Sequence, residues 1–329
     1  MIGVTGANGL LGSFIIRKLI DENQNFVGLK RKSGDTKLLE DVKEKIEWRN
    51  FDLQDPVSMD DSLQGVTSVI HSAAMISFDP RRATTISRIN TEGTRNVVNA
   101  CLANNIRRFV YISSVAALGR MKGQTQIDET NKWVENSLNT PYATSKYLAE
   151  LEVFRGQEEG LSTVILNPSV ILAPADWTKS SAQLFKYVWD ERRFYIDGSL
   201  NYVDVRDVAE AALTLLNSGM ENGRFIVSAG ALSYKDFFDA IAIRFAKKPP
   251  MIKLSNNFLN IVAGIEAFSS RIGRSEPLIT RETARLAGTR FQYQNNKIKK
   301  SLHFEFQTLD NTLDWCCRYY MQKFGLKKG

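Results

Sequence analysis

Histidine and cysteine are nearly missing from this 329-residue chain, which carries only His71 and His303 of the first and Cys101, Cys316 and Cys317 of the second. A Ser-His-Asp hydrolase would have to recruit one of two distant imidazoles, and a zinc site would find too few ligands. Neither CxxC nor HExxH occurs, so no metal is expected. An odd, partly adjacent set of three cysteines suits a reduced, cytoplasmic protein rather than a disulfide framework. Long apolar runs are missing too. The nearest approach, Phe258 to Phe268, is broken by Asn260 and Glu266 and falls short of the ~18 residues a membrane helix needs. The opening MIGVTGANG has neither the basic start nor the apolar stretch of a signal peptide. A soluble protein with no membrane association is the expectation.

What is present is an ordinary globular composition, 43% hydrophobic and 24% charged, in a chain long enough to bury a core without staples. The net charge of +7 is unevenly placed, because residues 244–329 hold 16 Lys and Arg against 6 Asp and Glu. Such a region could attract a phosphorylated ligand or simply form a solvated face. Its basic residues lack the aromatic interleaving of a nucleic-acid platform, so no nucleic-acid partner is expected.

The first half alternates β-rich apolar runs with amphipathic segments, the pattern of βαβ units around a parallel sheet. Strands are predicted at Ile2–Thr5, Phe26–Arg31, Ile46–Phe51, Ser68–His71, Arg108–Ser113 and Ser162–Asn167. Leu11, Ile15 and Leu19 recur at helical spacing between them, as do Thr94, Val98 and Leu102. Beyond Pro168 the pattern loosens. Residues 171–201 read as loop and one helix, Tyr202–Val205 as a strand, Asp207–Leu216 as a helix and Arg224–Ser228 as a strand. Pro249-Pro250 is expected to end a helix bearing Phe237, Phe238, Ile241 and Phe245.

The first strand runs into Thr5-Gly6-Ala7-Asn8-Gly9-Leu10-Leu11-Gly12 and then a helix. A strand, glycine turn and helix in this order aim backbone N–H groups and the positive helix end at a pyrophosphate. Gly6 allows the sharp turn, Gly9 the approach of phosphate, and Gly12 close helix–sheet packing. Asn8 and Leu10 complete the candidate contacts. No Gly-Lys-Ser/Thr follows, so this is not an ATP loop. An NAD-specific protein places an acid after the second strand, whereas this chain has Lys30-Arg31-Lys32. Arg31 and Lys32 could pair with a 2′-phosphate, which favours NADP and leaves NAD open, with Asp35 close by.

Tyr142 and Lys146 stand at i and i+4, which puts them on one face of a helix. An ammonium beside a phenol lowers its pKa from about 10 and makes it a usable acid and base. Tyr293/Lys297 and Tyr319/Lys323 share the spacing, so context must choose. The buried strand ending in Ser113-Ser114 chooses Tyr142, because ligands in an open α/β sheet sit at carboxyl strand ends, where a hydroxyl at Ser114 could steady a developing oxyanion.

Taken in order, Thr5-Gly6-x-x-Gly9-x-x-Gly12, Asp52-Leu53, His71-Ser72-Ala73-Ala74, Asn90-Thr91-Glu92-Gly93-Thr94, Tyr111-Ile112-Ser113-Ser114, Pro141-Tyr142-x-x-x-Lys146, Asn167-Pro168 and Tyr202-Val203-Asp204-Val205-Arg206-Asp207-Val208-Ala209 resemble the extended short-chain dehydrogenase/reductases, also called the NAD-dependent epimerase/dehydratase family. The resemblance covers roughly residues 1–230. Ser77-Phe78-Asp79-Pro80 and Ser114-Val115-Ala116-Ala117-Leu118-Gly119 look most like its dihydroflavonol-4-reductase-like branch. It implies an α/β protein, a doubly wound parallel-sheet Rossmann fold with a smaller, mainly helical C-terminal part. The NADP-binding domain would span 1–170, with 202–228 returning to it, and 171–201 and 229–329 would bind substrate.

The same resemblance implies that Tyr142 exchanges the proton, that Lys146 tunes it and holds the nicotinamide ribose, and that Ser114 orients the carbonyl. Asp52 and Leu53 would line the adenine pocket, Ala73 and Ala74 would floor the cofactor path, and Asn167 and Pro168 join the cofactor candidates. Asn90 matches a structural asparagine, and His71 a strand residue beneath the cofactor. The expected function is NADP(H)-dependent reduction of a ketone or aldehyde, or oxidation of the alcohol. A nucleotide-sugar epimerase and a non-catalytic NADP sensor are the alternatives. Dehydration is disfavoured, because Val115 and Ala116 stand where dehydratases carry Asp-Glu. The aromatics Trp177, Phe185, Tyr187, Trp189, Phe194 and Tyr195 suggest an aromatic-lined pocket or an ordinary core. The small-molecule partner would be a carbonyl or alcohol, and a homodimer is plausible.

Overall fold

In a computed structural model of the chain, residues 1–77, 79–121, 123–254 and 289–325 are described. Phe78, the run Phe258 to Phe268 and much of the basic C-terminal region lie outside them. Seven parallel strands form the main sheet: β1 (Ile2–Thr5), β2 (Phe26–Lys30), β3 (Trp48–Asn50), β4 (Ser68–His71), β5 (Arg108–Ile112), β7 (Thr163–Pro168) and β11 (Gly223–Val227), with the two-residue β6 (Gln126–Ile127) lying outside it. Their order across the sheet is β3-β2-β1-β4-β5-β7-β11. The reversal falls between β1 and β4, the crevice where a doubly wound sheet receives its ligand.

Val, Ile and Leu fill these strands because both faces are covered. On one face α1 (Leu10–Asp21) and α7 (Val205–Asn217) pack with Ile15, Ile16, Leu19, Val208 and Leu215 fully buried. On the other, α2 (Pro56–Ser62), α4 (Gly93–Ala103) and α5 (Pro141–Glu158) cover the sheet with Met59, Val97, Val98, Ala149 and Val153, and the short α3 (Ala83–Ser87) precedes α4. The predicted strands are present with ends shifted by a residue or two. The strand expected at Tyr202–Val205 is β10 (Ser199–Asp204), which lies outside the main sheet, between β8 (Val170–Leu172) and β12 (Gly230–Ser233). Its neighbour β11 does join the main sheet, beside β7.

The remaining elements gather around an aromatic cluster. These are α6 (Ala182–Trp189), α8 (Tyr234–Phe245), the paired β9 (Phe194–Ile196) and β13 (Ile252–Leu254), and the helix Leu309–Phe324. Phe185 and Phe237 are fully buried, Trp177 stacks on Tyr320 and Phe324, and Trp189 meets Phe245 edge-on. Most aromatics of 171–201 therefore pack into the core that joins three helices. Helix α8 ends at Ala246, whose left-handed backbone (φ 52°) breaks the spiral ahead of Pro249. Two contacts tie this part to the sheet: Thr312 Oγ1 donates to Asp204 Oδ2 at 2.8 Å, and the Arg206 guanidinium lies 4.1 Å from the Trp315 ring centroid.

The three cysteines are free and buried, and burial pushes their thiols up. Among the described residues no helix is long and apolar enough to cross a membrane, and no cluster of His, Cys, Asp and Glu could hold a metal.

Asp207, 4% exposed in the first turn of α7, accepts from Gln307 N through both oxygens at 3.2 and 3.0 Å. Burial pushes its carboxyl up to about 7, helped by Asp204 and Glu210 and opposed by the Gln307 amide and Arg206. A carboxyl raised by folding binds a proton that the unfolded chain has released above about pH 4, so its contribution falls as pH rises from there to about 7. Asp207→Asn should flatten the decline in Tm between pH 5 and pH 8 and leave the variant the more stable protein at pH 8. Parallel melting curves for the two proteins across that range would reject this origin.

Candidate active site

Because all seven strands run the same way, their carboxyl ends share one edge. Gly6 follows β1, Arg31 follows β2, Asp52 lies beyond β3, Ala73 lies beyond β4, Ser114 lies beyond β5, and Asn167-Pro168 close β7. Gly6 turns the chain at φ +64°, and a Cβ there would fall 2.8 Å from Ala73 Cα. The turn after β1 and the loop after β4 thus meet backbone to backbone at the reversal point. Gly12 lies so close beneath the turn that a Cβ would come within 2.1 Å of Gly6 O.

Gly9 differs. A Cβ there would meet only Gly6 O, at 3.1 Å, and Gly9 caps α1 in extended geometry with no side-chain cap and no acid in the first turn. Open space before unsatisfied helix N–H groups is a site for phosphate. These residues fit a dinucleotide pyrophosphate.

Asn8 Nδ2 donates to Asp35 O at 2.9 Å and so fastens the basic loop after β2 to this turn. Arg31 and Lys32 are exposed there, while the Asp35 carboxylate accepts from Lys37 N at 3.2 Å. Asp52 Oδ1 accepts from Gln54 N at 3.0 Å, and Leu53 packs against Gly93. Ala73 N donates to Thr5 Oγ1 at 3.3 Å, and Ala74 is exposed.

Helix α5 begins with Thr140 as cap, its hydroxyl accepting from Ala143 N at 3.1 Å, and Pro141 in the first turn. Tyr142 follows at once. Its phenol lies beside Ser114, and burial raises it above its ordinary value, with the serine partly opposing. Ser114 Oγ also accepts from Ala116 N at 3.1 Å.

Lys146 is 1% exposed, and its ammonium donates to Tyr111 Oη and Ile112 O, both at 2.8 Å. Burial pulls it down to about 7 against the pull of Glu150. The expected lowering of the Tyr142 phenol by Lys146 is not what this geometry gives, since the ammonium faces the sheet and the phenol sits above its usual range. Asn167 also differs from expectation. Its Nδ2 donates to Ser114 O at 2.8 Å and Glu150 Oε1 at 2.6 Å, so it braces the site from within.

The model of the NAD dependent epimerase/dehydratase family matches residues 2–228, most of the chain. The chain belongs to that family. Cinnamoyl-CoA reductase 1 of Petunia hybrida is 28% identical over 272 residues, 78% of this chain and 80% of the relative. A Synechocystis sp. protein assigned by name to dihydroflavonol 4-reductase is 32% identical over 219 residues, 66% of this chain and 63% of its own. The crystal structure of gox2253 superposes with a TM-score of 0.84 at 30% identity, covering 99% of each chain. This member of the epimerase/dehydratase family is therefore an NAD(P)-dependent enzyme of the reductase and epimerase kind.

The other two tyrosine–lysine pairs lie elsewhere. Lys323 Nζ donates to Tyr319 Oη at 3.0 Å on an exposed helix face, while Tyr293 is buried against Arg120 and Lys297 reaches Arg224 O. Phenol–ammonium contact alone does not mark the site.

His71 lies fully buried at the end of β4, bonded through Nδ1 to Thr5 Oγ1 at 2.6 Å and through Nε2 to Thr94 Oγ1 at 3.3 Å. Burial and the nearby Lys146 pull it down to about 3, so it is neutral. Asn90 sits in a π-turn, Arg88–Glu92, where Oδ1 accepts from Met75 N at 2.8 Å and Nδ2 donates to Met75 O and Ser145 Oγ, both at 3.0 Å. Sequence reasoning missed Tyr111 and Glu150. The spacing of Glu150, four residues after Lys146, was the available signal.

Gly12→Ala should lower the melting temperature of the ligand-free protein far more than Gly9→Ala, because a Cβ at Gly12 would overlap the backbone of Gly6 and Ala7, whereas one at Gly9 would only press on Gly6 O. Equal losses in thermal unfolding would show that the turn tolerates both or neither.

Proposed function

We propose that this chain is an NADP(H)-dependent reductase of a small ketone or aldehyde, or the corresponding alcohol dehydrogenase, with Tyr142 as its acid and base. The observation that carries this reading is the placement of Tyr142 and Ser114 side by side at the carboxyl end of β5, close enough for the serine to oppose the effect of burial on the phenol, on the same sheet edge as the glycine turn. The names of the Petunia and Synechocystis relatives, both reductases, agree with a reductase.

In this reading Gly6, Asn8, Gly9, Leu10 and Gly12 hold the pyrophosphate. Arg31 and Lys32 take the 2′-phosphate, Asp52 and Leu53 the adenine, Ala73 and Ala74 the cofactor floor, and Lys146 the nicotinamide ribose. The bound nicotinamide supplies or accepts hydride. Ser114 Oγ donates to the carbonyl oxygen and orients it. Burial keeps the Tyr142 phenol protonated at neutral pH, so its proton is available to an oxygen that becomes an alkoxide, a far stronger base than phenolate. The parts at 171–201 and 229–329 serve as the substrate side.

Tyr142→Phe should reduce turnover by about 10²-fold or more while dinucleotide affinity stays nearly constant, and retained activity would remove Tyr142 from the reaction. NADPH should raise the melting temperature more than NADH does, and equal or reversed protection would reject the roles of Arg31 and Lys32. A panel of ketones, aldehydes and UDP-sugars, followed by nicotinamide absorbance and product analysis, separates the reactions. Net redox change supports the reductase, whereas sugar isomerisation without it replaces that reading by an epimerase.

A further inference from the structure

Glu150 is a carboxylate with no solvent exposure, an arrangement that persists only when the charge is paired and hydrogen-bonded. Ser113 Oγ donates to Oε1 at 2.5 Å, Asn167 Nδ2 donates to the same oxygen at 2.6 Å, and Arg224 Nη1 reaches Oε2 at 3.2 Å. These partners come from the ends of β5 and β7 and from β11. Arg224 is itself fixed by Glu129 O at 2.5 Å and Asn131 O at 3.2 Å. Glu150 shares one helix face with Lys146 and Tyr142, each four residues apart.

The Lys146 ammonium needs an anion that its hydrogen bonds do not supply, since Tyr111 Oη and Ile112 O are both neutral oxygens. Among the described residues, the titratable groups around it are His71 from β4, Tyr111 from β5, and Tyr142 and Glu150 from its own helix. The imidazole is neutral and the two phenols are protonated. Only Glu150 is negative, and Arg224 shares its charge.

We infer that Glu150 is the counter-ion that keeps Lys146 charged within the sheet edge, and that Ser113, Asn167 and Arg224 are positioning residues that hold this carboxylate in place. The electrostatics agree, since Glu150 is the group that opposes the effect of burial on Lys146. The catalytic consequence of this inference rests on the proposed role of Lys146.

The test is the titration of Lys146 in ligand-free protein, followed by NMR of its labelled side chain and assigned through Lys146→Met. Glu150→Gln, a neutral near-isostere, should lower the midpoint by about one unit or more. Arg224→Met, which leaves Glu150 unshared, should raise it. Opposite shifts are not expected from a merely structural disturbance. An unmoved midpoint in folded Glu150→Gln overturns the inference. Should that variant not fold, a fixed or lowered midpoint in Arg224→Met does so instead. The alkaline limb of kcat should move with the Lys146 midpoint while the substrate KM changes little. If the midpoint shifts and the limb does not, the counter-ion role stands and the catalytic reading of Lys146 falls.

Discussion

A lysine ammonium buried at the carboxyl edge of a parallel sheet is the constraint around which this site is arranged. Water solvates such a charge far better than protein does, and a buried cation survives only inside a complete set of acceptors and countercharge. Tyr111 and Ile112 supply the oxygens from β5. The i, i+4 geometry of α5 brings Glu150 into range, and the ends of β5, β7 and β11 keep that carboxylate in place. The pairing of helix and sheet on this side is thus electrostatic as well as apolar. The face that α5 turns inward carries Ser145, Lys146 and Glu150 beside Ala149 and Val153.

On the opposite face the sheet meets α7, whose N-terminus ties it to the C-terminal helix. Asp204 caps α7, pairs with Arg206 and accepts from Thr312, while Trp315 lies over the Arg206 guanidinium and edge-on to Phe14. One acidic side chain therefore closes a helix end and joins two parts of the chain. The aromatic cluster beyond it needs no polar instruction, because rings from α6, α8 and the last helix bury one another.

Much of the main sheet was legible because its central strands β1, β4, β5 and β7 are short apolar runs rich in Val and Ile and bounded by glycine or polar residues, and burial on both faces demands that composition. The short strands β8, β9, β12 and β13 were not, since three or four partly exposed residues carry no period that separates them from loop. The glycine turn after β1 was readable from Gly6 and Gly12, because steric need maps directly onto residue type. The bracing role of Asn167 was hidden for the opposite reason. An amide can serve a cofactor or a neighbouring carboxylate equally well, and only the register of β7 against α5 decides. The aromatics of 171–201 left pocket and core equally open in sequence, as a ring's chemistry does not say which side it faces. The Tyr142–Lys146 spacing was right about proximity to the sheet edge and silent about direction, so the ammonium's turn toward Tyr111 could not be foreseen.

The amide of Asn90 grips Met75 through both backbone polar atoms and also holds the Ser145 hydroxyl. The segment leaving β4 and the helix bearing Tyr142 are therefore fastened to a single side chain, set in a wider-than-usual helical turn. The loop after β4 and helix α5 thus keep their spacing through one amide, and neither can shift without straining the bonds of Asn90 to the other.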